Sequence, residues 1–582
     1  MKNSRFDYPK QPVRSDGISD TGTVVAVGSN IDPTDFTRTL NDIIATCTKA
    51  YLESLNMDDL PSPEEVEHQL INSIRGEILL ANETLPKGSK MQVPQKLNPS
   101  QLADIMLFTH RIVRIKCAGE SGDPSYDLLA IYQETGENKG LYTADDNEIK
   151  RICMNYNYSI SSKELSEVME KLFFKAPRVS RTTDRDLIAV NNGIFNFATK
   201  ELKSFSPDYV FMVKSKVNYN HAAQNVFITM PDGEVWDIES WMEDLFDDPE
   251  LTQVTWEILS AIIRPFVRWN KSAWLYSESG NNGKGTLCEL MRSLCGEGSY
   301  ASLSLEDFSK DFLLEPLIRA NAIIRDENDV GTYIDKAANL KAVITNDVIS
   351  INRKHKTPIS YQFYGFVVQC LNEFPRVKDK SDSFYRRQLF IPFKKCFTGM
   401  ERKYIKDDYL HRPEVLEYVL YKVLNMNFYT LSEPAACSVA LADYKEYNDP
   451  VRQFLDEMLP QFVWDLLPFS FLYDAYKSWE RKNNPNGVIQ GRNTFITEVL
   501  NILSSSSAGI DDWYCRGRGV LVKTGHKMDL PEPLIAAYGL TDWKNPKYTG
   551  PDLDIICSPV LSQSYRGLLR VNCVNGGSED EL

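Results

Sequence analysis

The sequence has no hydrophobic run long enough to cross a membrane. No apolar stretch approaches the ~18 residues that a spanning helix needs, and the opening segment MKNSRFDYPKQPVRSDG has no hydrophobic signal-peptide core. These absences predict a protein without membrane association that stays in the cytoplasm in which it is made.

Patterns for metal or disulfide sites are also missing. The eleven cysteines include no C-x-x-C pair, and the six histidines are not spaced to join them. Reduced core thiols are therefore expected rather than a zinc site or disulfides. The 582 residues are 42% hydrophobic and 25% charged, which is ordinary for globular protein and predicts about three to five domains.

The charge is acidic overall but unevenly distributed. A net charge of −15 argues against a generic basic nucleic-acid binder. Residues 351–395, however, contain ten Lys or Arg against three Asp or Glu. A local positive strip is typical of a groove for phosphate backbones, although a solvated basic face would look the same.

A glycine-rich segment after the apolar run Ala273-Trp274-Leu275-Tyr276 predicts a phosphate loop. It consists of Gly280, Asn281, Asn282, Gly283, Lys284, Gly285 and Thr286. Backbone N–H groups would cradle the phosphates of ATP, the lysine would reach the β/γ oxygens, and the threonine hydroxyl would bind Mg²⁺. Glu278 replaces the usual first glycine, so a plain surface turn remains an alternative for this segment alone.

Two polar strand ends follow the loop. The apolar run Ala322-Ile323-Ile324 leads to Asp326 and Glu327, which could orient Mg²⁺ and polarise the attacking water. A later apolar strand ends at Asn372, which could sense the γ-phosphate because ligands of open α/β sheets bind at strand ends. A surface acid pair and a simple strand-end cap are the alternatives.

Basic residues lie between and after these strands. Alternating apolar residues around Arg353, Lys354, His355 and Lys356 predict a hairpin whose cationic tip could grip a sugar-phosphate backbone. An exposed loop is the other interpretation. The pair Arg386-Arg387 precedes a further strand, where an arginine could reach a neighbouring subunit's nucleotide or could serve as surface charge.

The alternation of strands and helices between 271 and 400 predicts a parallel α/β domain. The predicted segments are 1–35, disordered; 36–95, helical and of unknown role; 96–232, α+β; 233–270, a helical collar; 271–400, the nucleotide-binding core; 401–445, a helical connection; 446–550, a C-terminal domain; and 551–582, a tail.

The order and spacing of these motifs resemble the superfamily-3 helicases, and within them the phage/plasmid and poxvirus-type primase–helicases. The resemblance is carried by Gly280–Thr286, Asn372-Glu-Phe-Pro375 and Arg386-Arg-Gln-Leu-Phe-Ile-Pro-Phe393. It extends upstream to Asn192-Gly193-Ile-Phe-Asn-Phe and downstream to Tyr473-x-x-Tyr476-x-x-Trp479.

This resemblance implies an AAA+ P-loop core, a preceding α+β domain and a C-terminal winged-helix domain. It also implies a hexameric, ATP- and Mg²⁺-dependent DNA helicase that translocates on single-stranded DNA, unwinds forked or duplex DNA during replication of a mobile element, and meets other replication proteins in a bacterial host. Lys284 and Thr286 would hold phosphates and metal, and Asp326 would assist the metal. Glu327 would be the catalytic acid, and Asn372 the sensor. Arg387 would be the finger in trans, with Arg386 as the alternate, and Lys354 and Lys356 would grip DNA.

Few residues precede the resembling region and no Asp-x-Asp motif occurs there, so we expect a helicase without priming activity. A primase–helicase or an origin-binding initiator is the first alternative. A P-loop ATPase without a nucleic-acid role is the second. Near the C-terminus, Trp513 to Lys523 predicts a hairpin whose Arg516 and Arg518 could contact duplex DNA. An ordinary hairpin or a partner-docking site explains the same pattern.

Overall fold

The computed structural model describes residues 38–57, 59–117, 123–310, 312–354, 356–399, 402–483, 489–505, 513–514 and 520–571. The chain divides into two compact units, one containing 1–102 with 154–160 and the other 103–153 with 161–582. The segment 1–35, for which disorder is expected, lies outside the described residues. Among the described helices, none combines the length and apolar character that crossing a membrane requires.

Two helices in the first unit lie within the segment for which helix is predicted. They span Leu40–Ser54 and Pro63–Thr84, and each begins with a capping box, Thr39 with Asp42 and Ser62 with Glu65. In each box the hydroxyl oxygen of the first residue accepts a hydrogen bond from the backbone N–H three residues later. The carboxylate of the acid accepts one from the backbone N–H of the first residue, so both donors at the helix start are satisfied. The buried residues of the second helix recur at helical spacing: Val66, Leu70, Ile74 and Ile78.

The second unit begins with an α+β region. Its four-stranded sheet contains Ile112–Ile115, Leu128–Tyr132, Tyr142–Thr143 and Arg178–Val179. Helices Asp146–Tyr156 and Ser162–Lys175 lie between these strands in the chain, and Ser161 forms a capping box with Glu164 at the start of the second helix. The strands Leu187–Val190, Gly193–Asn196 and Glu201–Lys203 then form an antiparallel meander.

A five-stranded parallel sheet forms the centre of the second unit. We label its strands β1 (Ser272–Tyr276), β2 (Tyr300–Ala301), β3 (Ala322–Arg325), β4 (Phe366–Leu371) and β5 (Gln388–Pro392). Their order across the sheet is β2-β3-β4-β1-β5, and every pairing is parallel. The prediction of a parallel α/β domain in this region is confirmed.

Both faces of this sheet are covered, as parallel sheets require. Ala273 and Leu275 of β1 join a core that includes the collar helices Ile238–Asp244 and Pro249–Ile263 and the phosphate-loop helix Lys284–Cys295. The intervening Trp274 is fully buried in the opposite core. Helices Ala338–Ile344, Asp382–Tyr385, Lys403–Asp407, Pro413–Asn425 and Ala435–Tyr447 complete this part of the unit.

The predicted cationic hairpin forms. Val348–Arg353 pairs antiparallel with Lys356–Gln362, with an irregularity between Ile351 and Arg353. Alternate residues of the two strands are buried, namely Ile349, Ile351, Ile359 and Tyr361.

The C-terminal region has a core of its own. Its helices are Pro450–Met458, Phe469–Asn483, Arg492–Ser505, Leu534–Ala537 and Leu553–Ile556. Its main sheet has the order Leu466–Pro468, Gly567–Arg570, Trp513–Tyr514. The fold therefore continues past residue 550, where the sequence places the start of a tail.

The predicted hairpin from Trp513 to Lys523 is wrong in its pairing. Trp513–Tyr514 pairs with Gly567–Arg570, and Val522–Lys523 pairs with Ser564–Tyr565, in separate sheets. A β-forming pattern marks strands but does not choose their partners. Arg516 and Arg518 lie outside the described residues.

Candidate nucleotide-binding site

The predicted phosphate loop joins β1 to the helix Lys284–Cys295, called the phosphate-loop helix, through a tight turn. Gly283 adopts φ 88° at the N-cap, and the helix begins at Lys284. Asn281 is also left-handed, at φ 54°. The amide of Asn282 donates to the Ser279 carbonyl. The first N–H groups of the helix, including those of Gly285 and Thr286, have no partner within the helix and favour an anion at this end.

Gly283 is required for packing as well as for its backbone angle. A Cβ at this position would lie 2.6 Å from Cδ2 of Leu245, which caps the first collar helix. On the other side of the loop, the Phe397 N–H donates to the Asn281 carbonyl at 2.7 Å. The loop is therefore held between segments that precede and follow the central sheet.

Lys284 is buried beneath the loop. Its Nζ donates to the Ser277 carbonyl at 3.4 Å. Burial lowers the pKa of Lys284, and the neighbouring thiols of Cys370 and Cys288 oppose this only in part. A desolvated ammonium beside a carbonyl gains free energy when a phosphate oxygen replaces lost water. Lys284 therefore lies at the start of the helix directly after the glycine-rich turn, and its role as a phosphate ligand stays a prediction.

Glu278, which replaces the usual first glycine, has a local structural role. Its Oε1 accepts a hydrogen bond from the Tyr276 hydroxyl at 2.9 Å. Burial and this bond raise the pKa of Tyr276. The Tyr276 ring stacks on Phe374 with centroids 4.0 Å apart. Glu278 therefore ties the start of the loop to the end of β1.

The acidic residues follow β3 at the end of the sheet where β1 leads into the phosphate loop. We call this end of the sheet the loop edge. Arg325, the last residue of β3, is level with Gln369 of β4 and Trp274 of β1. Asp326 and Glu327, both exposed, come next and so lie level with the ends of those strands. The structure brings them to the edge where the phosphate loop begins.

Asp326 makes an ion pair with the phosphate-loop helix. Its Oδ2 lies 2.7 Å from a terminal nitrogen of Arg292, and the other terminal nitrogen binds Glu289 at 2.8 Å. Burial raises the pKa of Asp326, but the Arg292 guanidinium outweighs it and holds this pKa below its usual value. This pair was not anticipated from the sequence.

Asn328 is a buried residue of the site that sequence reasoning missed. Its amide donates to the Gln369 side chain and to the Cys370 carbonyl, both at 3.0 Å, and its oxygen accepts from the Leu305 N–H at 3.0 Å. The turn that carries Glu327 is therefore fixed to β4. The polar side chain directly after an acid pair was the available signal.

Asn372 follows β4 and is exposed at the same edge. Leu371 is level with Tyr276, and its carbonyl accepts from the Ser277 N–H at 3.1 Å. Asn372 thus follows the strand that is the direct neighbour of β1, and its role as a sensor stays a prediction.

The arginine pair lies at the opposite end of the strands, where β1 and β5 begin; we call this end the arginine edge. Arg386 is exposed, and Arg387 immediately precedes β5, where its carbonyl accepts from the Ser272 N–H at 2.8 Å. Arg387 donates to the Ser383 carbonyl, while its Nε is buried without a partner among the described residues. The length of β1, about 15 Å, separates these arginines from the phosphate loop of their own chain.

The hairpin exposes one described lysine at its turn. Lys354 is exposed and Arg353 is half-buried, with Arg353 level with Lys356 across the hairpin. His355 and the side chain of Lys356 lie outside the described part of the chain.

The base of the hairpin is fixed by Arg181, another residue that the sequence did not reveal. Its guanidinium donates to the Tyr361 hydroxyl at 2.9 Å and to the Gln362 carbonyl at 2.7 Å. It also lies 4.8 Å from the Tyr361 ring centroid and 5.0 Å from that of Tyr364. The preceding α+β region therefore supports the hairpin stem.

The side chains at the loop edge fit a magnesium ion better than a protein-enclosed metal centre. Among the described residues, no group of three or more His, Cys, Asp or Glu side chains could hold a metal. Magnesium usually takes one or two protein ligands together with substrate phosphates and water. The hydroxyl of Thr286 and a carboxylate of the acid turn would be the protein ligands of such an ion.

Three protein-family models match parts of the chain. Residues 114–247 match the model described as D5 N terminal like, and residues 446–514 match Poxvirus D5 protein-like. Residues 275–387 match a family of unknown function, DUF5906. The two D5 matches confirm the resemblance to the poxvirus-type primase–helicases that the motifs indicate.

Individual relatives are more distant. A comparison with curated proteins finds no match. The apo structure of the NrS-1 C terminal region is 13% identical and aligns over 63% of this chain and 82% of that one, with a TM-score of 0.35. Its A form is also 13% identical and aligns over 80% and 94%, with a TM-score of 0.37. Likeness at this level carries no argument about activity.

Proposed function

We propose that the protein is an ATP-dependent DNA helicase with an AAA+ core, acting in the replication of a phage, plasmid or other mobile element. The observation that carries this proposal is the placement of the polar groups on the central sheet. The phosphate loop, the acid turn and Asn372 share one edge, and the arginine pair lies at the other. The strand order, with β4 between β1 and β3, is the one that an AAA+ core needs.

At the loop edge, each residue has a defined task in phosphoryl transfer to water. The N–H groups at the start of the phosphate-loop helix and the Lys284 ammonium would bind the β- and γ-phosphates. Glu327 would accept a proton from the attacking water, and Asn372 would orient that water on the γ-phosphate. Magnesium, held by Thr286 and the phosphates, would neutralise charge on the phosphate oxygens.

The arginine edge supports a ring of subunits. Because Arg387 cannot reach its own phosphate loop, the nucleotide it would stabilise belongs to a neighbouring chain. A closed ring repeats one head-to-tail interface and presents each arginine edge to the next loop edge. Six subunits are expected from the family resemblance.

The hairpin is the proposed contact with DNA. Lys354 is exposed at its turn, and the stem is anchored by Arg181 and by a buried apolar face. An ammonium on a rigid stem would bind phosphates without reading sequence. The C-terminal domain is proposed as a winged helix that contacts duplex DNA or a partner.

Unwinding of a forked duplex tests the motor. We compare wild type with Lys284→Ala, with the double variant Lys354→Ala/Lys356→Ala, and with Lys310→Ala as an exposed-lysine control outside the hairpin. Lys284→Ala should lower ATP turnover about 100- to 1,000-fold because a charged phosphate ligand is lost. The hairpin variant should retain ATPase activity and lose unwinding, and the control should match wild type. ATP turnover that is not stimulated by DNA, together with no strand separation, would contradict the proposal.

A combined primase–helicase is the second candidate, favoured by the D5 matches. Synthesis of a primer on single-stranded template by the purified chain would establish it. Unwinding without primer synthesis supports the helicase alone.

A further inference from the structure

The acid turn is anchored on both sides of Glu327. On one side, Asp326 is bound to Arg292 of the phosphate-loop helix at 2.7 Å. On the other, Asn328 is bound to Gln369 and Cys370 of β4. The residue between them is exposed at the sheet edge. Its position is therefore set by two contacts, each to an element that carries another residue of the site.

The location of Arg292 decides where the Asp326 carboxylate is held. The backbone of Arg292 lies six residues beyond that of Thr286, about 9 Å further along the helix axis, and its side chain reaches back toward the helix start. Its side chain is only 16% exposed and bridges two carboxylates, Asp326 and Glu289. Because the same guanidinium also binds Glu289, three residues nearer the helix start, the Asp326 carboxylate is held beside the second and third turns of the helix, whereas Thr286 lies in the first turn.

Resting on the proposed ATP hydrolysis, we propose that Asp326 is a positioning residue. Its ion pair with Arg292 fixes the turn to the phosphate-loop helix and leaves Glu327 as the acid that faces the nucleotide. Asp326 then acts through Arg292 and is not a ligand of magnesium. This differs from the role that the family resemblance implies for it.

A double-mutant cycle separates the two roles. We compare Arg292→Gln, Asp326→Asn and the double variant. Arg402→Gln is the matched control, because Arg402 also binds two carboxylates, those of Asp232 and Glu234. Steady-state ATPase assays give kcat and KM. The Mg²⁺ concentration that half-saturates binding of a non-hydrolysable ATP analogue is measured by calorimetry.

We expect each single variant to lower kcat by a similar factor of about 10 to 100, because a displacement near 1 Å has effects of this size. KM should change little, and the double variant should be no slower than either single variant. The Mg²⁺ requirement for analogue binding should equal that of wild type. Arg292→Lys, which keeps the charge without the planar fork, should recover part of kcat.

Three results would overturn the inference. Asp326→Asn could raise the Mg²⁺ requirement while Arg292→Gln leaves it unchanged, which would identify a metal ligand. The losses in kcat could multiply in the double variant, or Arg292→Gln could match wild type. An absence of ATP turnover in wild type would instead contradict the proposed function. If Arg292→Gln fails to fold, the comparison of Arg292→Lys with Asp326→Asn carries the same test.

Discussion

Two asparagines at the loop edge should respond in opposite ways to the same substitution. Asn328 is 5% exposed and makes three hydrogen bonds, whereas Asn372 is exposed. We expect Asn328→Ala to act on stability and Asn372→Ala to act on ATP turnover. Sequence spacing gives both residues similar strand-end positions, so the expected difference comes from their burial.

The magnitude for Asn328→Ala follows from the bonds it removes. The Leu305 N–H and the Cys370 carbonyl would lose partners in the interior, and each unsatisfied buried group costs about 1–3 kcal/mol. Because Gln369 can partly readjust, we expect the free energy of unfolding to fall by about 2–4 kcal/mol. In a domain of about 150–250 residues, such a loss lowers the thermal midpoint of unfolding by on the order of 10 °C.

Asn328→Asp provides a second measure of the same contact. The new carboxylate would face the Gln369 oxygen and the Cys370 carbonyl, so burial beside two acceptors should raise its pKa. The destabilisation should therefore be greatest near neutral pH and should diminish as the pH falls and the group becomes protonated.

Scanning calorimetry and steady-state ATPase measurements on the same samples provide the test. Asn372→Ala should keep the wild-type midpoint, since exposed substitutions usually change stability by less than ~0.5 kcal/mol, and should lose most of its turnover. The reasoning is refuted if Asn328→Ala melts like wild type, or if Asn372→Ala is destabilised equally.

Three further predictions concern the loop, the ring and the acid turn. Gly283→Ala would place a non-glycine residue at φ 88° and a methyl group 2.6 Å from a leucine side chain. Because left-handed strain costs about 1–2 kcal/mol, ATP binding measured by calorimetry should weaken about 10-fold. Unchanged affinity would contradict this prediction. Lys284→Ala and Arg387→Ala, each inactive alone, should regain roughly a quarter of wild-type sites when mixed one to one before assembly, because each variant supplies what its neighbour lacks; mixtures without activity would argue against sites shared between chains. The Arg292 guanidinium, against the effect of burial, holds the pKa of Asp326 below its usual value. Its ionised form therefore adds stability that is present above about pH 4 and is lost as the pH falls further. Asp326→Asn should show a shallower decline of the thermal midpoint between about pH 5 and 3, and an unchanged profile would count against this pair.

Local sequence patterns predicted the strands and turns of the site well. The run from Ala273 through Thr286 predicts strand, loop and helix, and the structure has all three. The hairpin around Lys354 is also formed, because alternation of apolar residues is a property of neighbouring positions. The roles given to these residues remain predictions.

The contacts that support the site could not be predicted, because they join distant positions. Arg181 is 180 residues from Tyr361, and Asn328 is 41 residues from Gln369. Single-sequence periodicity contains no information on such partners. The same limit explains the error near the C-terminus, where Trp513 pairs with Arg570.

The anchored hairpin stem has a mechanical consequence. Arg181 and the bond from the Gln362 N–H to the Cys117 carbonyl, 3.2 Å long, join the stem to the preceding region. A strand of seven residues from Lys356 to Gln362 makes an arm of about 20 Å. An arm clamped at its base does not swing by itself, so tension applied at its tip is transmitted to the α+β region as torque. The stroke of such a lever would then be set by how far the whole body rotates, and the stiffness of the Arg181 clamp would determine how much of that rotation reaches the tip.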